Sequence, residues 1–274
     1  MEGKAMKAVA LAIFLLWMGI AVVGAQEKVI IGGSGSMTDG MAELAKAYLA
    51  KFPSESVHVV MDGMSNTGGM EGTKMGRLNI GLVTDEPKGA DKDKLIYKVV
   101  GRLPVGVALH KSTPISKLST GEICDVFSGK ITSWNEVGGG NAKILVLTRR
   151  RDDANTRPFR EKMACFKSLQ ITPDAIALDR GGEVLDAVNM RPNTIALVSV
   201  DPADSIDRPN LKTVAIDGIS PTLETVQTGK YKFYNEKGIV TLGASQGAVK
   251  RFLEYLGSAE AHKIMANHGM IPVK

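Results

Sequence analysis

The chain has 274 residues and a net charge of +5, with 34 lysines and arginines against 29 acidic residues. That length suffices for two lobes or one large domain with a proper core. The basic residues are dispersed and aromatic residues make up only 5%, which argues against nucleic acid as a partner and leaves a small anion as the simpler match for the charge.

At the start, Lys4 and Lys7 precede an uncharged apolar run from Val9 to Val23, and Val23-Gly24-Ala25 supplies the small residues a signal peptidase reads. Residues 1–25 are therefore expected to be a cleaved signal peptide. The alternative, an uncleaved anchor, is disfavoured because the run falls short of the roughly 20 residues that span a bilayer. No cysteine stands at the end of the run to carry a lipid, so a freely diffusing periplasmic monomer is expected. The chain has two cysteines, Cys124 and Cys165. In an oxidising compartment they allow one disulfide, while spacing alone leaves two buried thiols open. Neither lies in a CxxC pair, which argues against redox catalysis.

In chain order, residues 28–33 form a short apolar strand ending in the turn Ser34-Gly35-Ser36-Met37. A helix is predicted next, because Met41, Leu44, Ala45, Tyr48, Leu49 and Phe52 recur at three and four, with Thr38 or Asp39 as N-cap and Pro53 closing it. Residues 57–61 read as a second strand, leading into the loop Asp62 to Gly69, a weak helix and a third strand over 79–83. Repetition of strand, loop and helix indicates an α/β protein with mainly parallel sheets.

Residues 103–109 form another apolar strand, and His110 to Pro114 reads as a link into a second unit. There a strand over 144–147 runs into the loop Thr148 to Thr156, followed by a helix carrying Phe159, Met163 and Phe166, and a buried strand covers 194–200. Helical segments with Val249, Phe252, Leu253, Leu256, Ile264 and Met265 return to the first unit. No internal repeat or low-complexity tract is visible.

Three loops share one design: Ser34 to Thr38, Ser65 to Gly69 and Arg150 to Thr156 each follow a strand, carry small or hydroxyl residues and open a helix. Unpaired N–H groups and the positive end of the helix dipole stabilise an anion there without a metal. In an open α/β sheet, ligands sit beyond the carboxyl ends of strands. One such loop is ordinary turn chemistry; three are a candidate site. Among Arg149, Arg150 and Arg151, a guanidinium can bind an oxyanion through paired hydrogen bonds. Asp85 would repel an anion unless the ligand carries a proton to donate, as phosphate near neutral pH does and sulfate does not.

Taken together, Ser34 to Met37, Ser65 to Gly69, Thr84-Asp85, the stretch Phe127 to Gly139, Arg150 with Asp152 and Thr156, and Asp217 to Thr222 resemble the phosphate-binding proteins of bacterial high-affinity phosphate importers (PstS-like). The resemblance extends over nearly the whole mature chain. It implies a two-lobed periplasmic-binding-protein fold of type II with a hinge, lobe 1 formed by residues 26–108 plus about 232–274 and lobe 2 by about 109–231. It implies phosphate held in the cleft without a cofactor or catalysis, and delivery to the membrane permease of an ABC importer. Ser36, Met37 and Ser65 would donate to the ligand, Asp85 would accept its proton, Arg150 would clamp it, and Asn155 and Thr156 would close from lobe 2. One departure stands out: where the family has Ser-Gly-Thr, this chain has Ala154-Asn155-Thr156, without the first hydroxyl.

Two other classes are weaker. A periplasmic phosphatase lacks support, because His58, His110, His262 and His268 fall in no metal-ligand spacing and neither HExxH nor GxSxG is present. Met37, Met41, Met64, Met70 and Met75 could suggest a soft-metal site, but core packing explains them equally. Another oxyanion such as sulfate or molybdate, or a sensory interaction role, remains open.

Overall fold

The structure is a computed structural model that describes residues 27–61, 64–149, 154–201 and 206–273. The expected signal peptide, the clamp Arg150 and its neighbour Asp152 lie outside the described residues. No helix among the described residues is long and apolar enough to cross a membrane.

The first unit runs β1 (Lys28–Gly33), α1 (Thr38–Lys51), β2 (Ser56–Val59), α2 (Asn66–Lys74) and β3 (Ile80–Val83). The long strand β4 (Leu95–His110) leads to β5 (Lys117–Leu118), α3 (Thr120–Ser128), β6 (Leu145–Arg149), α4 (Arg157–Lys162), β7 (Ile176–Leu178), α5 (Gly181–Met190), β8 (Thr194–Ser199) and β9 (Leu211–Ile216). The chain then continues through α6 (Leu223–Gln227), β10 (Tyr234–Leu242), α7 (Gly247–Tyr255), α8 (Ala259–Asn267) and β11 (Ile271–Pro272).

Helix α1 follows its apolar period: Met41, Leu44, Ala45 and Tyr48 are buried. Its start differs from the expectation. A 3-10 turn over Gly35–Met37 leads into it, so Met37 takes the N-cap position and makes no side-chain cap, with Thr38 already helical. Phe52 falls just beyond the helix and is 40% exposed, its ring 4.7 Å from that of Tyr48.

The principal strand order is β2-β1-β3-β10-β4-β8-β6-β7. β1 is parallel to β2 and β3, and β6 is parallel to β7 and β8. β10 is antiparallel to both its neighbours, as β4 is to β8. On one face of the first half, Met41, Leu44, Tyr48, Phe252 and Met265 form a core with Ile31, Ile80 and Ile239. A second core gathers Val105, Val107 and Leu109 with Phe127, Trp134, Phe159 and Phe166. Helix α5 covers the other face of that half through Val184 and Val188. This is the type II periplasmic-binding-protein fold.

Strand β4 is longer than the apolar stretch 103–109 suggested. Its first half alternates between buried and exposed, because it is an element of the first sheet with one face outward. Leu95 to Leu103 pair with β10, whereas Val105 to Leu109 pair with β8. The passage between cores therefore falls at Leu103 to Val105, ahead of the His110 turn. Its return lies at Phe233 and Tyr234: Phe233 stacks on Phe159 at 4.6 Å in the second core, and Tyr234 opens β10.

Cys124 of α3 and Cys165 of a short 3-10 turn are joined by a disulfide that closes a 41-residue separation. The stretch Phe127 to Gly139, most specific to the resemblance, serves packing: Phe127 and Trp134 are buried in the second core, and Gly129 and Gly138 end their helical turns in the left-handed conformation.

Candidate functional site

The carboxyl ends of β1 and β3 meet the first turn of α2 at unusually short range. Gly33 has φ of +140°, and a Cβ there would run into the Leu82 backbone. A Cβ at Gly69 would lie 2.6 Å from Leu82 O and 3.2 Å from Gly33 Cα. Glycine at both positions lets α2 sit directly on the strand ends. Ser65 caps α2 by accepting from Gly68 N at 3.1 Å. An accepting hydroxyl still has its own proton to donate. Asn66 Oδ1 accepts from Thr84 N at 2.7 Å, which ties the Thr84-Asp85 turn to the same helix start.

Ser36 lies exposed in the 3-10 turn after β1. Its Oγ is 3.1 Å from Ser34 Oγ and accepts from Lys237 Nζ at 2.7 Å. Met37 is less available than expected. Its N–H donates to Ser34 O at 3.0 Å and its side chain is buried in the first core, so it could reach a ligand only by sharing that proton.

From the opposite side comes Arg157, at the start of α4. It forms an ion pair with Asp85 and donates to Thr84 O at 3.1 Å and to Asn235 Oδ1 at 3.3 Å. Asn155 Oδ1 accepts from Ser199 Oγ at 3.0 Å. Thr156 holds the N-cap position of α4 without a side-chain cap bond. That helix has only six residues, so the third loop opens one and a half turns and brings little macrodipole. Its contribution is carried by side chains instead.

Strand β10 adds two buried polar residues to this set. Asn235 and Lys237 point to one face, two residues apart, and are 2% and 3% exposed. Burial and the neighbouring Arg157 cation lower the Lys237 pKa to about 8. On the opposite face, Glu236 and Tyr234 flank Arg102, which lies 3.7 Å from Glu236 Oε1 and over the Tyr234 ring.

The structure thus links Ser65 through Asn66 to the Thr84-Asp85 turn, Asp85 through Arg157 and Asn235 to Asn155, and Ser36 to Lys237 on the same strand as Asn235, with Thr156 following Asn155 in the chain and Met37 buried next to Ser36. Sequence reasoning missed Arg157, Asn235 and Lys237. Arg157 was overlooked beside the arginine run 149–151, although the sequence Thr156-Arg157-Pro158 marks a helix start. The β-branched run Ile239-Val240-Thr241 could have located β10. No group of three or more metal-ligating His, Cys, Asp or Glu occurs among the described residues.

A family profile described as a PBP superfamily domain matches residues 22–260. The phosphate-binding protein PstS of Bacillus subtilis is 27% identical over 253 residues, which is 91% of this chain and 82% of that protein. A Clostridium perfringens structure, described as a phosphate ABC transporter substrate-binding protein with bound phosphate, aligns with a TM-score of 0.75 at 28% identity. That alignment covers 90% of this chain and 100% of the other. A Vibrio cholerae ABC-type phosphate transport receptor shares the fold, with a TM-score of 0.67 at 21% identity over 90% of this chain and 100% of that one. On the family match over most of its length, and on the sheet order described above, this chain belongs to the PBP superfamily.

Proposed function

We propose that the chain is a non-enzymatic solute-binding protein that captures phosphate between two lobes and presents it to the permease of an ABC importer. The observation that carries this reading is the convergence of Ser36, Ser65 and Asp85 on one side with Arg157 and Asn155 on the other, at the passage between two separate cores. We take the lobes to divide near Leu103 to Val105 and Phe233 to Tyr234. Hydroxyl and amide donors arranged in advance offset the cost of stripping water from an anion. Arg150 would add the clamp, Thr156 a further donor and Asp85 the acceptor for the ligand's proton. The basic n-region and apolar run of residues 1–25 support secretion to the periplasm, where the chain would act as a monomer.

A second reading, a different oxyanion, is favoured by Ala154, whose side chain supplies no donor where relatives of this kind have a serine. Loss of one hydrogen bond to a charged ligand weakens binding by about 1.5 to 3 kcal/mol. Calorimetric titration of the mature, ligand-stripped protein with phosphate, sulfate and molybdate at neutral pH separates the two readings. Tight one-to-one binding of phosphate alone is expected. Heat from sulfate or molybdate without phosphate would replace the first reading with the second.

A further inference from the structure

Lys237 stands in an arrangement that needs a missing charge. It is 3% exposed, and among the described residues its one hydrogen-bond partner is the neutral Ser36 Oγ at 2.7 Å. The nearby Arg157 is a second cation, and the Asp85 carboxylate is already paired with it. Along β10 the adjacent acid, Glu236, faces Arg102 on the other side of the ladder. On β3, Val83 and Leu82 stand opposite the next two residues of β10, Gly238 and Ile239, and are apolar and buried, and across from Lys237 on β4 stands Gly101. Among the described residues, Arg157, Asp85 and Lys237 therefore leave one positive charge without an opposite. A buried ammonium with a single neutral acceptor is strongly disfavoured unless an anion joins it.

We propose that the Lys237 ammonium is the lobe-1 charge partner of the bound oxyanion, reaching it beside Ser36, and that capture fails when this ammonium is neutral. The inference rests on the oxyanion-binding reading above and adds to it a cation on β10. Its linkage is direct. An anion at Lys237 favours the charged form, so binding retains the proton, and binding weakens once the empty protein has lost it. With the empty-state pKa lowered to about 8, the loss begins in the mildly alkaline range, where phosphate is already a dianion.

The test is calorimetric titration of the wild type and the Lys237→Met variant with phosphate, sulfate and molybdate at pH 7.5 and pH 9.5, together with thermal melting of both proteins without ligand. At pH 7.5 the variant should bind about 10- to 100-fold more weakly. The wild type should weaken about tenfold or more by pH 9.5, whereas the variant should bind equally at both values. Without ligand the variant should melt at or above the wild-type temperature, because methionine replaces a buried charge by an apolar group of similar length. Wild-type affinity in the variant, or a wild type insensitive to this pH change, overturns the role of Lys237 while leaving the binding function intact. A variant that melts well below the wild type makes Lys237 structural and likewise overturns it. If the wild type ignores phosphate but binds sulfate or molybdate and the variant loses that, the phosphate reading falls and the Lys237 role stands. Silence of the wild type toward all three overturns both.

Discussion

Arg157 reaches from the start of α4 to the Asp85 carboxylate, so an ion pair joins the two halves of the protein. The same guanidinium holds Thr84 O and Asn235 Oδ1, which makes it a latch on both β3 and β10. Both partners are about one-third exposed, so solvent limits the stability it confers.

Replacing Arg157 with Gln should change unfolding free energy by less than about 1 kcal/mol. It should nevertheless loosen the contact between the two halves. Small-angle scattering of the ligand-free variant is expected to give a larger radius of gyration than the wild type; identical profiles would remove the latch.

Asp85→Asn tests the proton-acceptor role. An amide offers a donor to a fully deprotonated oxyanion, and the change releases the Arg157 charge toward the ligand. Sulfate affinity should rise by about tenfold or more relative to phosphate. An unchanged ratio of the two dissociation constants would dismiss Asp85 as the discriminating group.

Gly69→Ala should be costly despite its small size. The added methyl meets the Leu82 carbonyl and the Gly33 backbone, neither of which can yield as a flexible side chain could. A loss of about 1 to 3 kcal/mol in denaturant unfolding is expected, together with weaker anion binding as Ser65 moves with α2.

Replacing Cys124 and Cys165 together with Ala should lower stability by about 2 to 4 kcal/mol through the freed loop. The cysteines tie α3 to the turn after α4, away from Ser36 and Ser65. Ligand affinity, measured below the unfolding range, should change little.

Stability of the empty protein should also respond to alkali. Lys237 has a folded pKa near 8 against an ordinary 10.5, so between these values the unfolded chain holds more protons. Stability then rises with pH, by on the order of 3 kcal/mol across the window for this group alone. Above pH 10 the sign reverses, because burial holds Tyr48, Tyr97 and Tyr255 at about 12; unfolding lets these phenols ionise. Denaturant midpoints measured from pH 7 to 11 should pass through a maximum.

The first strand, its serine turn and α1 were legible because each carries a local signal. The isolated run 28–33 ends at paired glycines, and the three-and-four spacing of Met41, Leu44 and Tyr48 leaves one interpretation. Ser65 and Asp85 could be picked out because each lies in a loop after a strand and matches a motif of the family that the chain resembles. Lys237 could not, since a lysine in a strand usually faces water, and its hydrogen-bond partner is Ser36, some two hundred residues earlier in the chain. The same holds for Arg157: its role depends on where Asp85 stands in the other half of the protein, which no local pattern records. The start of α1 was misplaced because a 3-10 turn uses the same residues as an N-cap and differs only in which carbonyl accepts.

The two cores are joined through β4, whose ladder continues from β10 to β8 without a flexible linker between them. Val105 N–H is held by Phe233 O at 2.9 Å and Val200 N–H by Pro104 O at 2.8 Å, right at the passage. A closing movement here must twist hydrogen-bonded strands and order no loose chain. Little conformational entropy is therefore lost at the connection when ligand binds, and the free energy of the anion's contacts passes into affinity with that much less subtracted.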